Sequence, residues 1–138
     1  MFTLNGEAIS WKSCKQATIA DSTTESEYIA ASEASKEAVW LSIFLRELGV
    51  VPNCSPITVY CDNNGVVAQA KEPRSTNKNK HICRKYHLIR DFVARKEVSI
   101  ERVDTNDNVA DPFTKPLSVE KHFEHFRNVG VRTMGDWI

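Results

Sequence analysis

No stretch of the sequence approaches the ~18 consecutive apolar residues of a membrane-spanning helix. Residues 1–20 also lack the basic, then apolar, then small-residue order of a signal peptide. Both absences argue against an integral membrane or secreted protein and for a cytoplasmic or nuclear one. Glycine is scarce, with five residues in 138, and no glycine-rich phosphate loop is present. The four cysteines, Cys14, Cys54, Cys61 and Cys83, fall at irregular spacings without a C-x-x-C, so they read as reduced thiols rather than a disulfide framework. A zinc site from His81, Cys83 and His87 would match no common ligand spacing. Nucleophile–base pairs for covalent catalysis, internal repeats, linkers and low-complexity stretches are missing too, and the net charge is zero.

What is present is ordinary in bulk and uneven in distribution. Apolar residues make up 41% and charged residues 26%, values of a soluble globular fold, and 138 residues suffice for one domain with its own core. Residues 71–96 carry nine bases (Lys71, Arg74, Lys78, Lys80, Arg84, Lys85, Arg90, Arg95, Lys96) against two acids (Glu72, Asp91). That segment is +7 and the remainder −7. Such segregation suits either a polyanion-binding surface beside an acidic site or a solvated basic helix face.

Pattern and punctuation predict the elements. Phe2-Thr3-Leu4, the turn Asn5-Gly6 and Ala8-Ile9-Ser10-Trp11 read as a short hairpin. A long helix is expected from Ser22 to Leu48, opened by the capping box Ser22-Thr23-Thr24-Glu25 and stopped by Gly49 and Pro52. Its expected inner stripe is Ala30, Ala34, Ala38, Leu41, Leu45 and Leu48, widened by Trp40, Ile43 and Phe44; Glu27 falls on or beside it, and Glu25 and Glu33 point elsewhere. Ile57–Cys61 reads as a strand, residues 66–71 as a short helix, and His81–Lys96 as a basic amphipathic helix with Ile82, Tyr86, Ile89 and Val93 inward. A strand at Val98–Val103, a helical turn capped by Asn106-Asp107-Asn108 and a last helix from near Ser118 to Gly130 complete a mixed α/β chain. Trp11, Trp40 and Trp137 read as packing residues.

Three carboxylates stand at element ends. Asp62 directly follows an apolar strand, which is either a helix N-cap or a functional group at a strand C-terminus. Asp111, between Ala110 and Pro112, could answer a helix macrodipole. Together with Glu27 they suggest a divalent-metal site acting on phosphate. Hard oxygen ligands suit Mg²⁺ or Mn²⁺, and two such ions about 4 Å apart can clamp an in-line displacement.

Several longer runs stand in order along the chain: Ile9-Ser10-Trp11-Lys12-Ser13, Ala20-Asp21-Ser22-Thr23-Thr24-Glu25-Ser26-Glu27-Tyr28-Ile29-Ala30-Ala31 and Tyr60-Cys61-Asp62-Asn63-Asn64-Gly65. They continue in Lys80-His81-Ile82, His87-Leu88-Ile89-Arg90, Asn108-Val109-Ala110-Asp111-Pro112-Phe113-Thr114-Lys115-Pro116-Leu117 and Met134-Gly135-Asp136-Trp137. In these runs the chain resembles the ribonuclease H domain of copia-type retrotransposon Pol polyproteins of plants. The resemblance implies a ribonuclease H-like mixed sheet flanked by helices, and cleavage of RNA in RNA–DNA hybrids with two Mg²⁺ held by four acids. Glu27, Asp62 and Asp111 match three of those acids. Lys78, Lys80, His81, Arg84, Lys85 and Arg90 would track a phosphate backbone, with the hybrid read by shape and 2′-hydroxyls.

The family's first aspartate lies on a central strand upstream of the hairpin, and the matching residues here begin past it. The expectation is therefore a domain without its first strand, weak metal binding and impaired cleavage, with a second copy or a strand-donating partner completing the sheet. A non-catalytic module that binds nucleic acid or protein is the alternative.

Overall fold

Asn5 and Gly6 carry φ of 52° and 84°, the left-handed pair that a two-residue hairpin needs and that asparagine and glycine adopt most cheaply. They join β1 (Phe2–Leu4) to β2 (Glu7–Ser10) as an antiparallel pair with Leu4 opposite Glu7, Thr3 opposite Ala8 and a bulge before Phe2 meets Ser10. The computed structural model describes residues 1–17, 19–51, 56–72, 80–113, 116–132 and 135, with backbone alone over 80–86. The chain forms two compact units, Met1–Ala17 with Thr105–Ile138, and Thr18–Asp104.

In the first unit the hairpin is tied to the helix α4 (Val119–Asn128) by a bond from the Ala8 N–H to the Val129 carbonyl, 3.0 Å. Ser118 caps α4 by accepting from the Lys121 N–H, and Gly130 ends it at φ 83°. That left-handed φ is what favours glycine here, since a Cβ would meet the movable carboxylate end of the exposed Glu7 side chain. Two single turns of 3₁₀ helix, Thr105–Asp107 and Asp111–Phe113, precede α4, and Ser13 Oγ donates to the Phe113 carbonyl at 2.9 Å.

The second unit carries most of the core. β3 (Ile57–Cys61) pairs in parallel with β4 (Val98–Arg102), from Ile57 opposite Val98 to Cys61 opposite Arg102. Parallel strands need a crossover, here supplied by α2 (Asn64–Lys71) and α3 (Lys80–Ala94). Val59, Ile89, Phe92, Val98 and Ile100 are buried between these layers together with Val66 and Ala70. α1 (Thr23–Glu47) packs on β3 and the other two helices of the unit.

α1 corrects the sequence reading. Its buried residues are Glu25, Tyr28, Ile29, Ala31, Ser32, Ser35, Ala38 and Leu41, so the expected stripe holds at Ala38 and Leu41, whereas toward the N-terminus the buried face is shifted by about one residue, onto Ala31 and Ser35 in place of Ala30 and Ala34. Ala30 is exposed, as are Ile43, Phe44 and Leu48. Small side chains let the helix backbone approach the sheet. Ser35 enters the core at low cost because its hydroxyl donates to the Ala31 carbonyl at 2.8 Å. Hydropathy ranks Trp and Phe above Ser, so it misses the serines of the buried face and admits the exposed Trp40, Ile43 and Phe44. Glu25 is also a correction: it is buried, and its carboxylate accepts from the Asp21 N–H at 2.8 Å, completing the cap begun by Ser22.

Trp11 and Trp40 are exposed at 61% and 55%, against the expectation of packing residues; Trp40 instead stacks on Phe44 with centroids 5.2 Å apart. Trp137 lies outside the described residues. The chain is thus mixed α/β, but its described strands make two small two-stranded sheets, one antiparallel and one parallel, rather than one mixed sheet. Among the described residues β3 pairs with β4 alone. No helix among the described residues is long and apolar enough to cross a membrane.

Candidate metal centre

Alternation along β3 decides which side chains meet α1. Val59 and Cys61 turn inward and are buried, whereas Tyr60 points out at 62% exposure. The strand stops at Cys61, and the chain turns at once into α2. Asn63 makes that turn: its Oδ1 accepts from the Gly65 N–H at 2.9 Å and the Val66 N–H at 3.3 Å. The N-cap is therefore Asn63 and not Asp62, so the capping explanation for Asp62 does not hold.

Asp62, half-buried, is left at the strand end opposite the second turn of α1. There Glu27, exposed, brings a carboxylate oxygen to it. Oxygens of Glu27 and Asp62 and the Cys61 Sγ all lie within 4.8 Å of one another. Two of the three acids singled out in the sequence therefore come together, with a thiol that sequence reasoning had not assigned to the site. The signal for Cys61 was its position: it is the last inward residue of the strand that delivers Asp62.

The electrostatics agree with the geometry. Burial pushes the Cys61 thiol up from its ordinary value of 9.0; a hydrogen bond with the Asn63 backbone pulls it down, and the Glu27 and Asp62 charges raise it again. The thiol is thus protonated at neutral pH, and the available donors are the two carboxylates. That donor set fits a hard, oxygen-seeking cation such as Mg²⁺ or Mn²⁺. Glu27 and Asp62 would hold the cation.

Asp111 belongs to the other unit, where it is 6% exposed and heads the 3₁₀ turn Asp111–Phe113. Its N–H donates to the Asn108 carbonyl at 3.0 Å, and Asn108 Oδ1 accepts from the Ala110 N–H at 3.2 Å. A three-residue turn has little dipole to answer, which weakens the macrodipole explanation for this buried acid.

Of the expected phosphate contacts, Lys78 lies outside the described residues, as do the side chains of Lys80, His81, Arg84 and Lys85. Arg90 is described, and its Nε donates to the Gln69 carbonyl at 3.1 Å, holding α3 to α2. A cation missed in the sequence is Arg102, at the end of β4. Parallel register sets it beside Cys61, and its guanidinium reaches Asn64 Oδ1 at 2.9 Å and Asp104 at 3.4 Å. The signal would have been its place at the C-terminus of a strand parallel to β3.

Comparison with known proteins finds relatives that span most of this chain. The chain is 43% identical over 121 residues to the retrovirus-related Pol polyprotein from transposon TNT 1-94 of Nicotiana tabacum, covering 88% of this chain and 9% of that protein. It is 38% and 37% identical, each over 129 residues, to the Pol polyproteins from transposons RE2 and RE1 of Arabidopsis thaliana, covering 93% of this chain and 9% of each relative. No family model and no solved structure matches the chain. The chain therefore corresponds to a short segment of its relatives, and its homologues are the retrovirus-related Pol polyproteins of plant transposons.

Proposed function

We propose that this chain is a ribonuclease H-like module of a copia-type retrotransposon Pol polyprotein, acting on the RNA strand of RNA–DNA hybrids by metal-assisted phosphodiester hydrolysis. The observation that carries the reading is the meeting of the Glu27 and Asp62 carboxylates, one from a helix and one from a strand end, within 4.8 Å. Carboxylates brought this close from two elements supply the oxygen ligands that a hard divalent cation takes. Homology to Pol polyproteins supplies the nucleic-acid context.

In this reading Glu27 and Asp62 serve as metal ligands, and Asp111 is the further metal-binding acid that the family resemblance assigns. Divalent ions bound there would polarise the scissile phosphate and lower the pKa of a bound water. The chain's own groups do the rest. Asn63 fixes the turn that presents Asp62. Lys78, Lys80, His81, Arg84, Lys85 and Arg90, together with Arg102, attract the hybrid backbone. Glu27, Asp62 and Asp111 match three of the four acids the resembled family uses. The edge of β3 away from β4 is where a second copy or a strand-donating partner would add.

The test is incubation of the purified chain with an RNA–DNA hybrid in Mg²⁺ or Mn²⁺. Slow cleavage of the RNA strand, abolished by Asp62→Asn, is expected, with hybrid affinity falling as salt rises. Salt-dependent binding without any cleavage would favour a non-catalytic nucleic-acid-binding module. Cleavage unchanged by Asp62→Asn, or no binding at low salt, would refute both.

A further inference from the structure

Cys61 has no task in a hard-metal nuclease, yet it stands at the centre of the cluster. Its side chain is 7% exposed, and the hydrogen bond to the Asn63 carbonyl is stretched to 4.0 Å. Its Sγ is instead grouped with a Glu27 oxygen and an Asp62 oxygen, all within 4.8 Å. We propose that Glu27, Cys61 and Asp62 form a three-ligand site for a thiophilic divalent cation, Zn²⁺ or Cd²⁺, which excludes Mg²⁺ from the same carboxylates.

The donor chemistry favours this assignment. Sulfur and carboxylate oxygen bind Zn²⁺ at about 2.3 and 2.1 Å, so two such ligands at a tetrahedral angle stand roughly 3.6 Å apart. The cluster closes to that spacing with a movement of roughly 1 Å, within reach of a rotamer change at exposed Glu27. Three protein ligands leave a fourth position for water, as in open zinc sites. On binding, a metal–sulfur bond forms, the S–H bond breaks and its proton goes to solvent, with no change of oxidation state. Mg²⁺ has too little affinity for sulfur to drive that exchange and takes oxygen alone. The two kinds of cation therefore share Glu27 and Asp62 but differ at Cys61, and the softer one acts as a competitive blocker of the harder.

The site uses residues of the proposed nuclease centre but stands on their donor geometry, and its test contains no nucleic acid. Its failure would leave the hybrid-cleavage result untouched, and the converse holds. The probe is Cd²⁺, read by its thiolate-to-metal charge-transfer absorption, titrated into a chain carrying Cys14→Ser, Cys54→Ser and Cys83→Ser. One equivalent is expected to bind with the band present, and adding Cys61→Ser abolishes the band. Glu27→Gln and Asp62→Asn each weaken Cd²⁺ at least ten-fold, and excess Mg²⁺ shifts the midpoint upward. A band absent with Cys61 as the sole thiol overturns the proposal. So does a midpoint that neither carboxylate substitution moves, since a thiol acting alone would give that result. Should the triple variant fail to fold by circular dichroism, the unaltered chain is compared with Cys61→Ser, which is expected to lose one equivalent of Cd²⁺. An unchanged count overturns the assignment.

Discussion

Replacing Glu27 by glutamine tests whether this centre is held together at a cost to stability. The substitution keeps the shape of the side chain and removes one of two negative charges lying within 4.8 Å of each other. At that separation the repulsion is about 0.9 kcal/mol in a dielectric of 80 and about 3.5 kcal/mol at an effective dielectric of 20. Glu27 is exposed, which places the value near the lower figure. The helix dipole does not offset it. Glu27 follows the first residue of α1, Thr23, by four positions, and the dipole's influence fades within the first turn. Glu27→Gln is therefore expected to stabilise the metal-free chain by about 1 kcal/mol, a rise in Tm of about 3 °C for a chain of this length. The assay is thermal unfolding in chelator, followed by a titration with Mg²⁺. A cation at ten times its Kd should stabilise the unaltered chain by about 1.4 kcal/mol through mass action and Glu27→Gln by much less. The order of stability then narrows or inverts as Mg²⁺ is added. A variant that is less stable than the parent in chelator, or one that gains as much from Mg²⁺, would refute the idea of a repulsive pair waiting for a cation.

Two further outcomes follow from the same geometry. Asn63→Ala removes an oxygen that accepts two N–H bonds at 2.9 and 3.3 Å at the start of α2 and is expected to cost about 1–2 kcal/mol by chemical denaturation. Asp62→Asn, which removes the other charge of the same pair, should not cost stability, and a loss as large as that of Asn63→Ala would make Asp62 the cap. Burial and two neighbouring carboxylates raise the Cys61 thiol above its ordinary 9.0, so the folded chain keeps that proton to higher pH than the unfolded chain does. That contribution to stability is complete below about pH 9 and is lost as pH climbs through the folded value. Unfolding scans across this alkaline window should show a fall that Cys61→Ser flattens; an equal fall in the variant would assign the loss to other groups.

Much of the element order was legible because its signals are local. Asn5-Gly6 dictates a turn, Ser22 and Ser118 cap the helices that follow them, and Gly130 closes α4 in a left-handed conformation. Such choices depend on a few neighbouring residues and hold whatever the chain packs against. The acids at Glu27 and Asp62 were legible for a related reason, since polar groups at the ends of apolar elements have few structural uses.

Tertiary structure decided the rest. Which face of α1 is buried depends on how closely its backbone can approach β3. That favours Ala31, Ser35 and Ala38 over the more apolar Trp40, Ile43 and Phe44. The choice between Asp62 and Asn63 as the cap was settled by the direction in which the chain leaves the strand. The parallel pairing that sets Arg102 beside Cys61 joins residues far apart in sequence, and no local pattern encodes it. Charge segregation, carboxylates at element ends and local punctuation were thus written in the sequence itself. The meeting of Glu27, Cys61 and Asp62 arises only when α1 is laid against the end of β3, because packing and not propensity fixes the distance between them.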